Sequence, residues 1–209
     1  MRRTVAGIWD VPLEGVTPAL AVTAVCFFLG GVAGCVLAAN VGGGGNDSLT
    51  AYVQGFLDAA RAGETSSPAL LPLLWEVLRW PLFTVVLGFT ALGLIGIPIL
   101  FSVRGFLLSF AISSFVRSFS GAGALLAFLV FGVSGLAAVP ALFVLGVQGL
   151  VAARSLAGRV LGEGRRSSPF GRAYFLRCGV CAGAFCVCIL LEYLAVPALV
   201  AGMAGLLPA

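Results

Sequence analysis

The chain has 209 residues, of which 60% are hydrophobic and 10% charged, and its mean hydropathy is +1.12. Soluble domains carry roughly 25% charged residues, so a large soluble domain is excluded and the chain reads as an integral membrane protein. At about 20 apolar residues per helical crossing, it has room for about five or six crossings. All twelve basic residues are Arg, and the chain contains neither Lys nor His. Those absences remove the usual general base for a Ser or Cys nucleophile and the commonest transition-metal ligand. The formal charge of +4 does not point to nucleic acid, because the Arg residues gather at the flanks of apolar runs, where topology accounts for them.

In chain order, the first predicted crossing is 17–39, preceded by Arg2 and Arg3 and followed by "NVGGGGND". Val32-Ala33-Gly34-Cys35 resembles a lipoprotein signal box, but the run is long for an h-region, Asp10 and Glu14 interrupt the n-region, and a polytopic chain follows. The next segment, 40–80, is the largest piece expected outside the membrane. Within it, 49–62 places Leu49, Tyr52, Val53, Phe56 and Leu57 at helical spacing opposite Gln54, Asp58 and Arg61, the pattern of an amphipathic helix lying along an interface. Tyr52, Phe56 and Leu57 are its candidate partner-docking residues. Trp75 and Trp80 beside Glu76 and Arg79 suit the headgroup level.

A second crossing is predicted over 81–102 and a third over 105–120, with Arg104 at the turn between them as an anchor. Mid-membrane, the same Arg would be costly and a functional candidate. "SFSGAG" at 118–123 is the next turn signal. A fourth crossing, 124–153, is expected to be broken near 132–135, where "GVSG" stands in an apolar run. The 154–177 loop then holds Arg154, Arg159, Arg165, Arg166, Arg172 and Arg177 against Glu163. By the positive-inside rule it is cytoplasmic. The last crossing is 178–196. The prediction is therefore an all-α, multi-pass cell-membrane protein of about five crossings, with the N-terminus cytoplasmic and the C-terminus extracytoplasmic.

Candidate chemistry is sparse. The GxSG pattern at Gly132 to Gly135 has the look of an intramembrane serine nucleophile, but no His or Lys exists to act as base for Ser134, and close packing of small residues is the stronger reading. Cys178, Cys181, Cys186 and Cys188 suggest a tetrahedral metal site. At about 100° per residue, however, Cys181 and Cys188 share a helix face that Cys178 and Cys186 do not. Glu192 is placed at the outer rim of the last crossing, with ion or proton handling as its functional alternative. "GGGG" at 42–45 lacks the GK[ST] of a phosphate loop. No catalytic, cofactor-binding or metal-binding residue is assigned.

The order of these features resembles the stage II sporulation protein M family over residues 17–203. The resemblance rests on "YVQGFLDAARAGETSS", on "LGLIGIPILFSVRGFLLSF" and on the closing "FGRAYFLRCGVCAGAFCVCILLEYLAVPAL". Within "GIPILFSVRG", Gly96, Pro98, Arg104 and Gly105 fall where family members look similar. Wider relatives carry a PHGxxExPA-like motif, against which "VSGLAAVPA" keeps Gly135, Pro140 and Ala141 and has Val133, Ser134 and Ala138 in place of Pro, His and Glu. The resemblance implies a non-enzymatic membrane scaffold of sporulation engulfment, working with the cell-wall-degrading stage II sporulation proteins D and P, without cofactor or nucleic acid, and with self-association left open. A small transporter or permease subunit, with a polar path near Arg104 and Glu192, is the alternative.

Overall fold

The computed structural model of the protein describes residues 13–40, 70–127, 132–160 and 171–204, and among them all regular structure is helical. Five helices follow one another: α1 (Leu13–Asn40), α2 (Leu70–Gly88), α3 (Gly93–Ala127), α4 (Val133–Val160) and α5 (Arg172–Ala204). In lipid no water can satisfy a free N–H or C=O, so long apolar runs must close their hydrogen bonds within the helix. Four stretches are long and apolar enough to cross a membrane: Gly15–Asn40, Gly93–Ser114, Gly135–Arg159 and Arg172–Leu194. The all-helical, multi-pass reading is thus correct. The amphipathic stretch with Tyr52, Phe56 and Leu57 lies outside the described residues.

The partition of the middle of the chain differs from prediction. A turn at 89–92 splits the expected 81–102 crossing, and α3 then runs through the expected 102–105 boundary and through "SFSGAG" without ending. Phe89, Thr90, Ala91 and Leu92 contain no Gly, Pro, Asn or Asp, so composition hides this turn. It is built from short-range bonds: Phe89 N–H to Val85 O and Val86 O, both at 3.2 Å, Gly93 N–H to Thr90 O at 3.1 Å, and Gly96 N–H to Leu92 O at 2.9 Å. The Thr90 hydroxyl adds a bond to Leu87 O at 3.0 Å. Gly93 lets the hairpin close, since a Cβ there would overlap Leu87 O, and Gly88 lets α4 approach it, since a Cβ there would lie 2.9 Å from Gly149 Cα. Of the predicted break at 132–135, Gly132 is in π conformation, and Val133 to Gly135 lie in the first turn of α4, which is continuous to Val160.

Contacts between helices fix their relative directions. Ser102 Oγ donates to Cys26 O at 3.0 Å, and further along the same pair Arg117 donates to Ala38 O, so α1 and α3 run parallel. Trp80 faces Arg104 and Leu87 faces Gly96, so α2 runs opposite to α3. Phe101 packs on Gly146 and Ile97 on Gly149, which makes α4 antiparallel to α3. From α1 to α4 the helices therefore alternate in direction.

α4 is the centre of that bundle. Its span is 56% buried, against 17% for α1, and it touches each of the other four helices. Ile97 and Phe101 are fully buried against Leu142, Leu145 and Leu150. Phe143 receives Phe27 and Phe101 edge-on, with centroid separations of 5.4 and 5.0 Å, a preferred aromatic geometry. Lipid tails are as apolar as these side chains, so close van der Waals packing, more than exclusion of water, selects the arrangement.

Candidate functional site

The charged residues of α2, α3 and α5 converge. Arg104 lies eleven residues after Gly93 in α3, about 16 Å along the axis at 1.5 Å per residue. This is the middle of the Gly93–Ser114 span. Arg79 lies nine residues before Gly88 in α2, about 13 Å from the same turn. The hairpin therefore brings two guanidinium groups to one depth. Both sit over the same ring, each with Cζ 5.3 Å from the Trp80 ring centroid. A desolvated cation over an indole is worth about 2 kcal/mol.

Two carboxylates complete the set. Glu76, one turn before Arg79 and Trp80, is exposed, and Glu192 on α5 is half-buried. Arg104 lies in the electrostatic field of Arg79, Glu76 and Glu192, and Glu192 in that of Glu76 and Arg104. Two cations and two anions make the group formally neutral, which limits the cost of charge inside a bilayer. Its hydrogen bonding is incomplete, since Arg79 Nε and Trp80 Nε1 are buried without a hydrogen-bond partner. Nearer the 89–92 turn, Gln148 of α4 donates through Nε2 to Cys178 Sγ at 3.6 Å while its Oε1 is buried and unpaired.

Arg104 is accordingly not a turn anchor, as predicted, but a mid-helix residue, because the turn occurs at 89–92. Arg79 and Trp80 likewise leave the headgroup level assigned to them, and Trp80 packs against the core. Glu192 lies inside α5, twelve residues before the helix ends at Ala204. The signal that would have found the cluster is the similar spacing, nine and eleven residues, of Arg79 and Arg104 from Gly88 and Gly93. It becomes readable only once the hairpin turn is placed.

The remaining candidates separate into tight and open positions. A Cβ on Gly96 would lie 2.6 Å from Leu87 Cδ2, and one on Gly105 would overlap the Phe27 carbonyl oxygen. Pro98 is carried within α3, half-buried. Gly135 is different, because a Cβ there would meet nothing within 4 Å. Among the described residues nothing packs closely on Gly135. Pro140 is exposed on α4. Of the cysteines, Cys181 and Cys188 are buried and Cys186 is exposed, which is the face assignment helical spacing requires. Among the described residues no three metal-ligating side chains come together.

Comparison with known families agrees with the resemblance carried by "GIPILFSVRG". The model of one family, described as stage II sporulation protein M, matches residues 23–205. The chain belongs to that family. It is a sporulation membrane protein, and the charged cluster and all of the helical bundle except the first ten residues of α1 fall within the matched region. No curated protein and no solved structure matches the chain.

Proposed function

We propose that this stage II sporulation protein M family member is a membrane scaffold of engulfment, holding peptidoglycan-degrading partners at the septal and engulfing membranes. Family membership supports the setting. The scaffold role is carried by one observation: Glu76 is exposed on α2, about 18 Å along the axis from Gly88, beside a cluster with two unpaired buried donors. An ionisable group left facing hydrocarbon is costly, so this face suits a neighbouring transmembrane helix that brings polar groups of its own. The stage II sporulation proteins D and P are the proposed partners. The end of the bundle with Arg154, Arg159, Arg172 and Arg177 faces the cytoplasm, with the N-terminus inside and the C-terminus outside. The outer segment with Tyr52, Phe56 and Leu57 supplies a second contact.

Affinity capture from engulfing cells tests this. Cell-wall hydrolases should co-purify with the wild-type chain and be depleted with Glu76→Ala, while the variant reaches the membrane normally. Their consistent absence from the wild-type sample would sink the scaffold reading. A transporter needs a polar conduit at Arg104 or Glu192. The cavity of about 270 Å³ between α1, α3 and α4 is not that conduit, since its lining includes neither residue.

A further inference from the structure

That cavity lies at the basic end of the bundle. Its walls include Gly15, Pro18 and Val22 of α1, Leu94 of α3, and Val151 and Arg154 of α4. Gly15 and Leu94 stand in the first turns of α1 and α3, and Arg154 stands six residues before the end of α4. The cavity therefore opens where the hydrocarbon core meets the headgroups. Its lining is apolar except for Arg154, which is exposed. Arg159 and Arg172 flank the same end of the bundle on the helices around it. An Arg near a span end extends its guanidinium to the headgroup level while its stem lies along apolar surface.

An apolar slot closed at its mouth by one cation fits an amphiphile with a single anionic head. We propose that this groove holds one acyl chain of an anionic phospholipid, with the lipid phosphate on Arg154. Water is a poor occupant, because a bound water needs two to four polar partners and the lining offers almost none. A zwitterionic lipid could place a chain in the slot, but its cationic head group would stand among Arg side chains. The groove is thus selective by charge at the mouth and indifferent to chemistry within. This site is separate from the α2, α3 and α5 charged face and does not depend on the scaffold reading.

The test uses the full-length chain purified in mild detergent, with native mass spectrometry after exchange into nanodiscs of equal phosphatidylglycerol and phosphatidylcholine. One phosphatidylglycerol should remain bound to the wild-type chain in preference to phosphatidylcholine. Arg154→Gln should reduce that preference about fivefold, the effect of one Arg worth about 1 kcal/mol at an anionic surface, while Arg117→Gln at the other end leaves it unchanged. Gly15→Leu provides the second arm. A Cβ at Gly15 would make only an ordinary 4.0 Å contact with Val151 Cγ1, so the larger side chain enters the groove without forcing the backbone. It should reduce retention of both lipids, with the melting temperature held near that of the wild type. Equal lipid preference in wild type and Arg154→Gln would overturn the headgroup assignment. Undiminished retention in Gly15→Leu would overturn the groove assignment and mark the bound lipid as annular. Displacement of the lipid by glycerol phosphate alone would show that the acyl chain plays no part, and would also overturn it.

Discussion

Arg104 and Gly105 are consecutive, yet they serve opposite faces of α3. Gly105 faces α1, where the two backbones come so close that a Cβ would overlap Phe27 O. Gly30 and Gly34 of α1 meet the backbone of Ser102 and Phe106 of α3 in the same way, and Gly31 faces the Ser109 hydroxyl. Arg104 faces α2, where the contacts are long side chains: two guanidiniums, one indole and a carboxylate within electrostatic reach. One interface is held by the absence of side chains and the other by their charge. The difference shows how a single helix in lipid can have one face fixed by sterics and another adjustable. A Gly–backbone contact has no second arrangement, whereas an Arg on its flexible three-carbon stem can change its partner. The adjustable face is where a partner protein can act.

The sharpest way to break this contrast is at Gly105. Gly105→Leu should cost about 3 kcal/mol or more by overpacking, and even Gly105→Ala should lower the melting temperature of the detergent-purified chain. Unchanged melting for both would mean that α1 and α3 are not packed as described. Arg104→Met comes next, with an expected loss of about 1–3 kcal/mol from leaving partner groups unpaired. A double-mutant cycle with Glu192→Gln should show coupling of at least about 0.5 kcal/mol; strict additivity would argue that the charges do not act together. In the α1–α3 seam, Ser102→Ala removes the 3.0 Å bond to Cys26 O. That should cost only about 0.6 kcal/mol, the average for hydrogen bonds between transmembrane helices, which would confirm that shape outweighs hydrogen bonding there. Smallest of all, Gly135→Ala should fall within about 0.5 kcal/mol of wild type, since its Cβ meets open space. Ser134→Ala should be equally mild and leave engulfment intact in a complementation assay. A null phenotype for Ser134→Ala with normal membrane levels would reopen the question of its chemistry.

Much of the fold could be read from the residues. The crossings at both ends, 17–39 and 178–196, lie within α1 and α5, because long apolar runs flanked by polar residues have little alternative in a bilayer. The buried and exposed cysteines of α5 followed from helical angle alone. The middle was harder, since the turn at 89–92 is made of apolar residues and the apparent turn residues of "SFSGAG" lie inside a helix. In lipid-facing sequence, Gly and Ser mark helix contacts as often as turns, so the usual signals lose their meaning. That ambiguity also misplaced Arg104, whose role depends on depth.

By itself, then, the sequence determined the solvent this protein lives in, its helical class, the basic end of the bundle, the lack of a His or Lys base and the resemblance to its family. These are properties of composition and of local runs, and no partner is needed to define them. Tertiary structure alone decided that Arg79, Trp80, Arg104 and Glu192 share one neighbourhood, that Gly105 is closed and Gly135 open, and that a groove lies beside Arg154. Each of those depends on where a four-residue apolar turn falls. A shift of a helix boundary by one turn moves every later side chain by about 5.4 Å in depth and, at mid-membrane, turns an anchor into a buried charge.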